Sequence, residues 1–350
     1  MKKGVKKALQ WSVTAIILIV SIYYATKGID YTTLWQVLKT ADYEWVLIPI
    51  PIMLLSHWLR AMRWRTMLKP IFEPGSLWNM FSAVMIGYAM NNVIPRGGEF
   101  LRPYVYAKRE KKSFSSVFAT IVVERFIDVL TLFALFGIAF IIHRQKIVSV
   151  LPSNIQPDKL IFLVALMMAV VIFSFYPPFV EFMLSKLIKP FSTKLYDRAR
   201  DIFVKFRKGF AIIKNPSQYL RLMLESISIW ICYALPMYFI FFAFNFQSEI
   251  QLGIADALLL MVVIGVGVTI APTPGAIGIY HGLVVAAMTS LYGISQEKAL
   301  AYATVTHGIN FLVQIVFGGL FFLRENISKI PTNTSEIPSE LEEETQVKPN

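Results

Sequence analysis

The chain predicts an all-α, polytopic membrane protein, and three observations carry that prediction. Of its 350 residues, 56% are hydrophobic, and the mean hydropathy is +0.57, the signature of a chain that enters a bilayer. Apolar runs of spanning length recur along it. Its Lys and Arg residues, which give a net charge of +12, gather at the ends of those runs. Membrane topology explains that charge better than nucleic-acid binding does.

Taken in order, the first run covers residues 9–25 and follows Lys2, Lys3, Lys6 and Lys7. No small-x-small cleavage site succeeds it, so it reads as an uncleaved anchor with a cytoplasmic N-terminus. Further runs at 43–59, 114–142, 160–183, 220–244 and 299–323 bring the number of full spans to about six. Two regions are irregular. Residues 77–107 are interrupted by Asn91-Asn92-Val93-Ile94-Pro95-Arg96-Gly97-Gly98-Glu99, and residues 253–292 by the stretch from Ala271 to His281. Pro95, Gly97 and Gly98 make the first break; Pro272, Pro274, Gly275 and Gly278 make the second. A backbone in hydrocarbon must satisfy its own hydrogen bonds, so such breaks survive only within protein or beside water.

Charge counting orients these elements. Arg60, Arg63, Arg65 and Lys69 follow the second run, and Arg102, Lys108, Arg109, Lys111 and Lys112 follow the first break. Both flanks are expected in the cytoplasm. The region between them then enters and returns, as a re-entrant hairpin or a pair of short helices. Residues 186–214, with Lys186, Lys189, Lys194, Arg198, Arg200, Lys205, Arg207 and Lys208, read as an interfacial amphipathic helix or a solvated linker facing anionic lipid. The loop carrying Glu249 and Asp256 has no Lys or Arg and is expected outside. The eight apolar segments form one domain, residues 1–325, and residues 326–350 form a disordered, acidic cytoplasmic tail. The single cysteine, Cys232, excludes an intrachain disulfide.

An ungapped offset of 182 residues sets Glu99 on His281, Arg125 on His307 and Asp128 on Asn310, with identities such as Val123/Val305 and Gly137/Gly319. The halves are residues 77–143 and 253–323. Three spans separate them, so the second copy is expected to be inverted. Inverted repeats with broken helices are the architecture of alternating-access transporters.

Glu124, Arg125 and Asp128 fall in the middle third of a long apolar run, where an unpaired charge costs at least ~2.5 to 3.5 kcal/mol. They form either a structural ion cluster or a headgroup or ion site facing the first break, where Arg96, Glu99 and Arg102 are the nearest charged candidates. Arginine suits phosphate because its planar fork donates two parallel hydrogen bonds. His281 and His307 are structural or proton-linked groups, with Asn310 one turn beyond Thr306 on the same side. No Cys/His metal spacing, Gly-x-Ser-x-Gly or phosphate-cradling lysine loop is present, so no catalytic residue, metal or cofactor is assigned.

The ordered set Pro95-Arg96-x-Gly98-Glu99-x-x-Arg102, Glu124-Arg125-x-x-Asp128 and Pro272-x-Pro274-Gly275-x-x-Gly278 resembles the lysylphosphatidylglycerol synthase transmembrane-region family, the flippase-like domain proteins. The resemblance covers roughly residues 10–325 and implies movement of polar-headed or aminoacylated phospholipids, or polyprenyl-linked lipids, between leaflets of the cell membrane. Larger members of that family continue into a soluble aminoacyl-transferase domain; this chain resembles the membrane part alone. Many relatives carry an acidic residue at the position of His281 and Gly at that of Ala276. The expected partners are membrane phospholipids with anionic headgroups. Arg96, Arg102 and Arg125 are expected to engage the headgroup in one cavity lined by Glu99, Asp128, His281, His307 and Asn310. Two rival readings stand beside it: an intramembrane enzyme using His281 or His307 as base and Glu99 as acid, and a passive subunit of a separate lipid transferase.

Overall fold

In the computed structural model, residues 26–150, 177–190, 216–271 and 273–325 are described, together with isolated positions within 19–25 and 159–200. The regular elements among them are all helical. They are α1 (Tyr31–Thr40), α2 (Pro49–Leu68, entered through a helical turn at Glu44–Leu47), α3 (Leu77–Val93), α4 (Gly98–Glu110), α5 (Phe114–Ile142), α6 (Arg144–Val150), α7 (Pro177–Leu187), α8 (Pro216–Ala243), α9 (Phe246–Ile250), α10 (Ile254–Ile270), α11 (Ile279–Tyr292) and α12 (Gln296–Arg324). Five stretches are long and apolar enough to cross a membrane: Glu44–Leu68, Phe114–Ile142, Gln218–Ala243, Pro274–Tyr292 and Gln296–Arg324. Most of the run at 9–25, part of 160–183, most of the basic segment 186–214, Pro272 and the tail 326–350 lie outside the described residues.

Helix ends follow local chemistry. Asp30 starts α1 by accepting from the Thr32 N–H at 2.9 Å, and Ser76 and Ser295 cap α3 and α12 through their hydroxyls. The first broken region is a helical hairpin: α3 and α4 run antiparallel, with Asn79 on Glu110 (2.6 Å) at the open end and Gly98 N–H on Asn91 (2.8 Å) at the tip. A Cβ at Gly98 would fall 1.9 Å from the Gly87 carbonyl oxygen, so only glycine permits this approach. Arg96, rather than a glycine, takes the left-handed conformation at the tip (φ 58°). In the second region α10 and α11 pair likewise, joined by Gly275 (φ 57°), Ala276 (φ 58°) and Gly278 (φ 81°).

Two four-helix units emerge, α2 to α5 and α8 with α10 to α12. The hairpin and long-helix lengths are 17, 13 and 29 residues in the first unit and 17, 14 and 29 in the second. The long helix of each unit packs on the first hairpin helix of the other: α12 on α3, α5 on α10. Helices α2 and α8 cross between the units antiparallel, Trp45 stacking on Phe242 at one end and Thr66 bonding Glu225 at the other. Each hairpin opens at the end where its preceding helix finishes. The two hairpins therefore enter from opposite ends, the inverted arrangement that the echo predicts.

Matched bonds refine the repeat. Trp64 of α2 donates to Thr120 of α5, while Tyr302 of α12 donates to the Met237 carbonyl of α8. Thr120 and Tyr302 are 182 residues apart, Trp64 and Met237 only 173. Part of that difference arises at the tips, where four residues separate α3 from α4 and eight separate α10 from α11.

Candidate functional site

The charged residues of α5 are drawn together with arginines from two other helices. Glu124 is fully buried, and its carboxylate is shared by four guanidinium groups. Arg60 bonds it directly; Arg102 Nη1 lies at 3.0 Å, Arg125 Nη2 at 3.2 Å and Arg63 Nη2 at 3.5 Å. Asp128, one turn on, takes Arg63 at 2.6 Å, Arg60 at 3.0 Å and Arg125 at 3.6 Å. Separation by four residues puts both carboxylates on one face of α5. Neutral groups fix the arginines: Tyr233 accepts from Arg60 Nε and Nη2, Ser226 from Arg63 (3.0 Å), and the Arg102 guanidinium lies 4.1 Å from the Trp64 ring centroid. Tyr88 continues the network through its hydroxyl contact with Tyr233, 3.2 Å away.

This placement corrects the assignment of Arg60 and Arg63 to a cytoplasmic loop. Both lie inside α2, 2% and 0% exposed, because the helix runs nine residues past Leu59 to Leu68. Their spacing of three residues gives them one face, where α5 carboxylates compensate the charge. The signal was present as Trp58, Ala61, Met62 and Trp64 continuing the apolar character around them. Arg125, Asp128 and Arg102 lie together in this cluster. Arg96 does not; its Nη2 donates to the Thr269 carbonyl at 3.1 Å, tying the first tip to the end of α10. Glu99, in the first turn of α4, makes none of the cluster's ion pairs.

His281 and His307 form a separate group. Their ring centroids are 5.0 Å apart, Tyr280 packs on His307, and His307 Nε2 meets the Gly275 carbonyl at 2.6 Å. Asn310 instead joins a chain to the first hairpin, accepting from Gln314 (3.0 Å), which accepts from Asn92 (3.1 Å). The breaks therefore do meet each other, but the expected single constellation is divided into an arginine–carboxylate cluster in the first unit and a histidine pair in the second. At the 182-residue offset, Glu124, Arg125 and Asp128 correspond to Thr306, His307 and Asn310. Among the described residues no group of three or more His, Cys, Asp or Glu could hold a metal.

The four guanidinium groups exceed the two carboxylates, and donors remain unmatched. Arg63 Nε, Arg102 Nε and Nη2, and Arg125 Nε are buried without an acceptor. Arg125 is the accessible member, its side chain 41% exposed.

Comparison with known families matches residues 11–318 to the lysylphosphatidylglycerol synthase TM region. The chain belongs to the lysylphosphatidylglycerol synthase TM region family. Within that family setting, it is 24% identical over 339 residues to a UPF0104 membrane protein of Pyrococcus horikoshii, covering 91% of this chain and 97% of the relative. A UPF0104 membrane protein of Methanocaldococcus jannaschii is 28% identical over 137 residues, 37% of this chain and 41% of that one. A protein named glycosyltransferase AglD, from Haloferax volcanii, is 29% identical over 127 residues, 36% of this chain and 20% of its own length. Membership in the lysylphosphatidylglycerol synthase TM region family and the helical architecture together establish a multi-pass membrane protein related to lipid or glycolipid handling.

Proposed function

We propose that this protein moves a lipid with an anionic headgroup between the leaflets of the cell membrane. The observation that carries the reading is the buried guanidinium surplus around Glu124 and Asp128, built on the first hairpin and the helices that cross between two inverted units. Buried charge within membrane spans is costly and marks substrate paths, and inverted hairpins supply a means of exposing one site to either side. Arg102 and Arg125 would hold the headgroup, with Arg60 and Arg63 fixed by the carboxylates. The positive-inside rule sets the end carrying Arg65, Lys69, Lys108, Arg109, Lys111 and Lys112 in the cytoplasm.

A vesicle assay with a fluorescent anionic lipid and an impermeant quencher tests this. Arg125→Ala and Arg102→Ala are each expected to slow transfer about tenfold or more, since a charge-assisted hydrogen bond contributes ~1.5 to 3 kcal/mol. Unchanged rates in folded variants would sink the assignment. The similarity to part of the glycosyltransferase favours a second reading, in which the chain serves a separate lipid-handling transferase. Stable co-purification of such a partner, with no transfer by the isolated chain, would support it. The enzymatic alternative has less behind it, because His307 Nε2 is engaged by the Gly275 carbonyl. A change in lipid mass on incubation would revive it.

A further inference from the structure

Charge and donor bookkeeping at the cluster narrows the headgroup. Arg60, Arg63, Arg102 and Arg125 oppose Glu124 and Asp128, leaving two positive charges uncompensated among the described residues. The surrounding groups do not change that surplus. Glu225 is paired with Arg221 at 2.9 Å and takes the Thr66 hydroxyl, and counting Arg96 and Glu99 at the nearby tip adds one charge of each sign. Guanidinium groups do not lose their protons in proteins, so the surplus is not removed by deprotonation and an anion at the cluster would compensate it.

The unmatched donors point the same way. Four buried nitrogens, Arg63 Nε, Arg102 Nε and Nη2, and Arg125 Nε, have no acceptor, against one buried oxygen without a donor, Glu124 Oε2, and all four arginines converge on the Glu124 carboxylate. The four guanidinium groups are therefore one cluster rather than two separate ones. A phosphodiester offers two unesterified oxygens and one negative charge. A terminal phosphate offers three acceptor oxygens and up to two charges, which matches the charge surplus and gives the unmatched donors one acceptor more than a diester does. Trp64, beside Arg102, and the network of Tyr88 and Tyr233 close the site with groups that bring no further charge.

We infer that the Arg60–Arg63–Arg102–Arg125 cluster selects a phosphate bearing two negative charges, a terminal phosphomonoester or diphosphate, over a monoanionic phosphodiester. This deepens the lipid-translocation reading and rests on it for the source of the phosphate, a lipid rather than a soluble anion.

The test is binding of chain-matched lipids to the purified full chain in phosphatidylcholine nanodiscs, followed by native mass spectrometry and by thermal unfolding. Phosphatidic acid is expected to bind about tenfold or more tightly than phosphatidylglycerol at pH 8, about 1.4 kcal/mol. That advantage should fade as the pH falls through about 6, where the second phosphate proton returns. Arg125→Gln, at the exposed member, should bring the two lipids close to parity. The pH profile of the unaltered protein gives an answer even where that variant does not fold. Equal binding of phosphatidylglycerol, or of cardiolipin with its charges on separate diesters, overturns the selectivity while leaving an anionic-lipid carrier in place. Inorganic phosphate or pyrophosphate competing as well as phosphatidic acid overturns the lipid source, and equal protection by chloride overturns both readings by reducing the site to a counterion.

Discussion

Glu124 decides whether the charged cluster holds together. Replacing it by Gln would leave three buried guanidinium groups and the partly exposed Arg125 against Asp128 alone, and breaking a buried ion network by removing one partner costs about 3 to 5 kcal/mol. Glu124→Gln is therefore expected to lower stability by about that amount, read from thermal unfolding in detergent. Adding Arg63→Gln, which removes a positive charge from the same carboxylates, should restore about 1 kcal/mol or more through coupling. A double variant no more stable than the single one would show that the surplus charge is not what strains the site. At the second tip, Ala276 sits at φ 58°, a conformation that costs a side-chain-bearing residue about 1 to 2 kcal/mol. Ala276→Gly should raise stability by about 1 kcal/mol. The α5 charges were legible because an apolar run makes a lone charge conspicuous. Arg60 and Arg63 were not, since a charge near the end of a run resembles a loop, and only the partner carboxylates on another helix reveal that it is inside.

The hairpins depend on one close contact more than on their prolines. Gly98 lies against the Gly87 carbonyl with no room for a Cβ, so Gly98→Ala must push α4 off α3. A loss of about 3 kcal/mol is expected, together with release of the Asn91 contact, and hydrogen exchange at residues 98–101 should rise more than at the distant Asn79–Glu110 end. Uniform exchange along both helices would argue against a local wedge. Element boundaries were read well where composition changes sharply: the span at 114–142 coincides with α5, and both breaks interrupt helices where Pro and Gly cluster. The residue that turns the first tip was harder to see. Arg96 adopts the left-handed conformation while Gly97 stays right-handed (φ −59°), because Arg96 gains an acceptor across the interface at Thr269, a tertiary bond that no local pattern encodes.

At the scale of the whole molecule, the inverted arrangement is testable by labelling. In a Cys232→Ser background, cysteines at Glu73 and Lys111 should react from one side of the membrane and those at Gln251 and Gln296 from the other; reaction of all four from one side would overturn the opposed hairpins. The repeat was only half legible, since an ungapped comparison follows α5 and α12 but loses α2 and α8, whose offset differs by nine residues. The same relation pairs two ion clasps. Glu325, just beyond α12, holds Arg109 and Ser82 (2.7 Å) of the first unit. His143, 182 residues earlier and just beyond α5, lies 3.7 Å from Asp256 of the second unit, which also takes Lys146 at 3.1 Å. Each clasp ties the end of one unit's long helix to the other unit's hairpin, at opposite ends of the molecule. Loosening one should thus bias opening toward its own side, because a two-state equilibrium shifts when a contact made in only one state is lost. With a reporter cysteine at Val122, one turn from Arg125, Glu325→Gln should speed modification from the Glu73 side, and Asp256→Asn from the Gln251 side. If both variants speed it from the same side, the clasps are local staples, and the two ends of the molecule do not exchange roles.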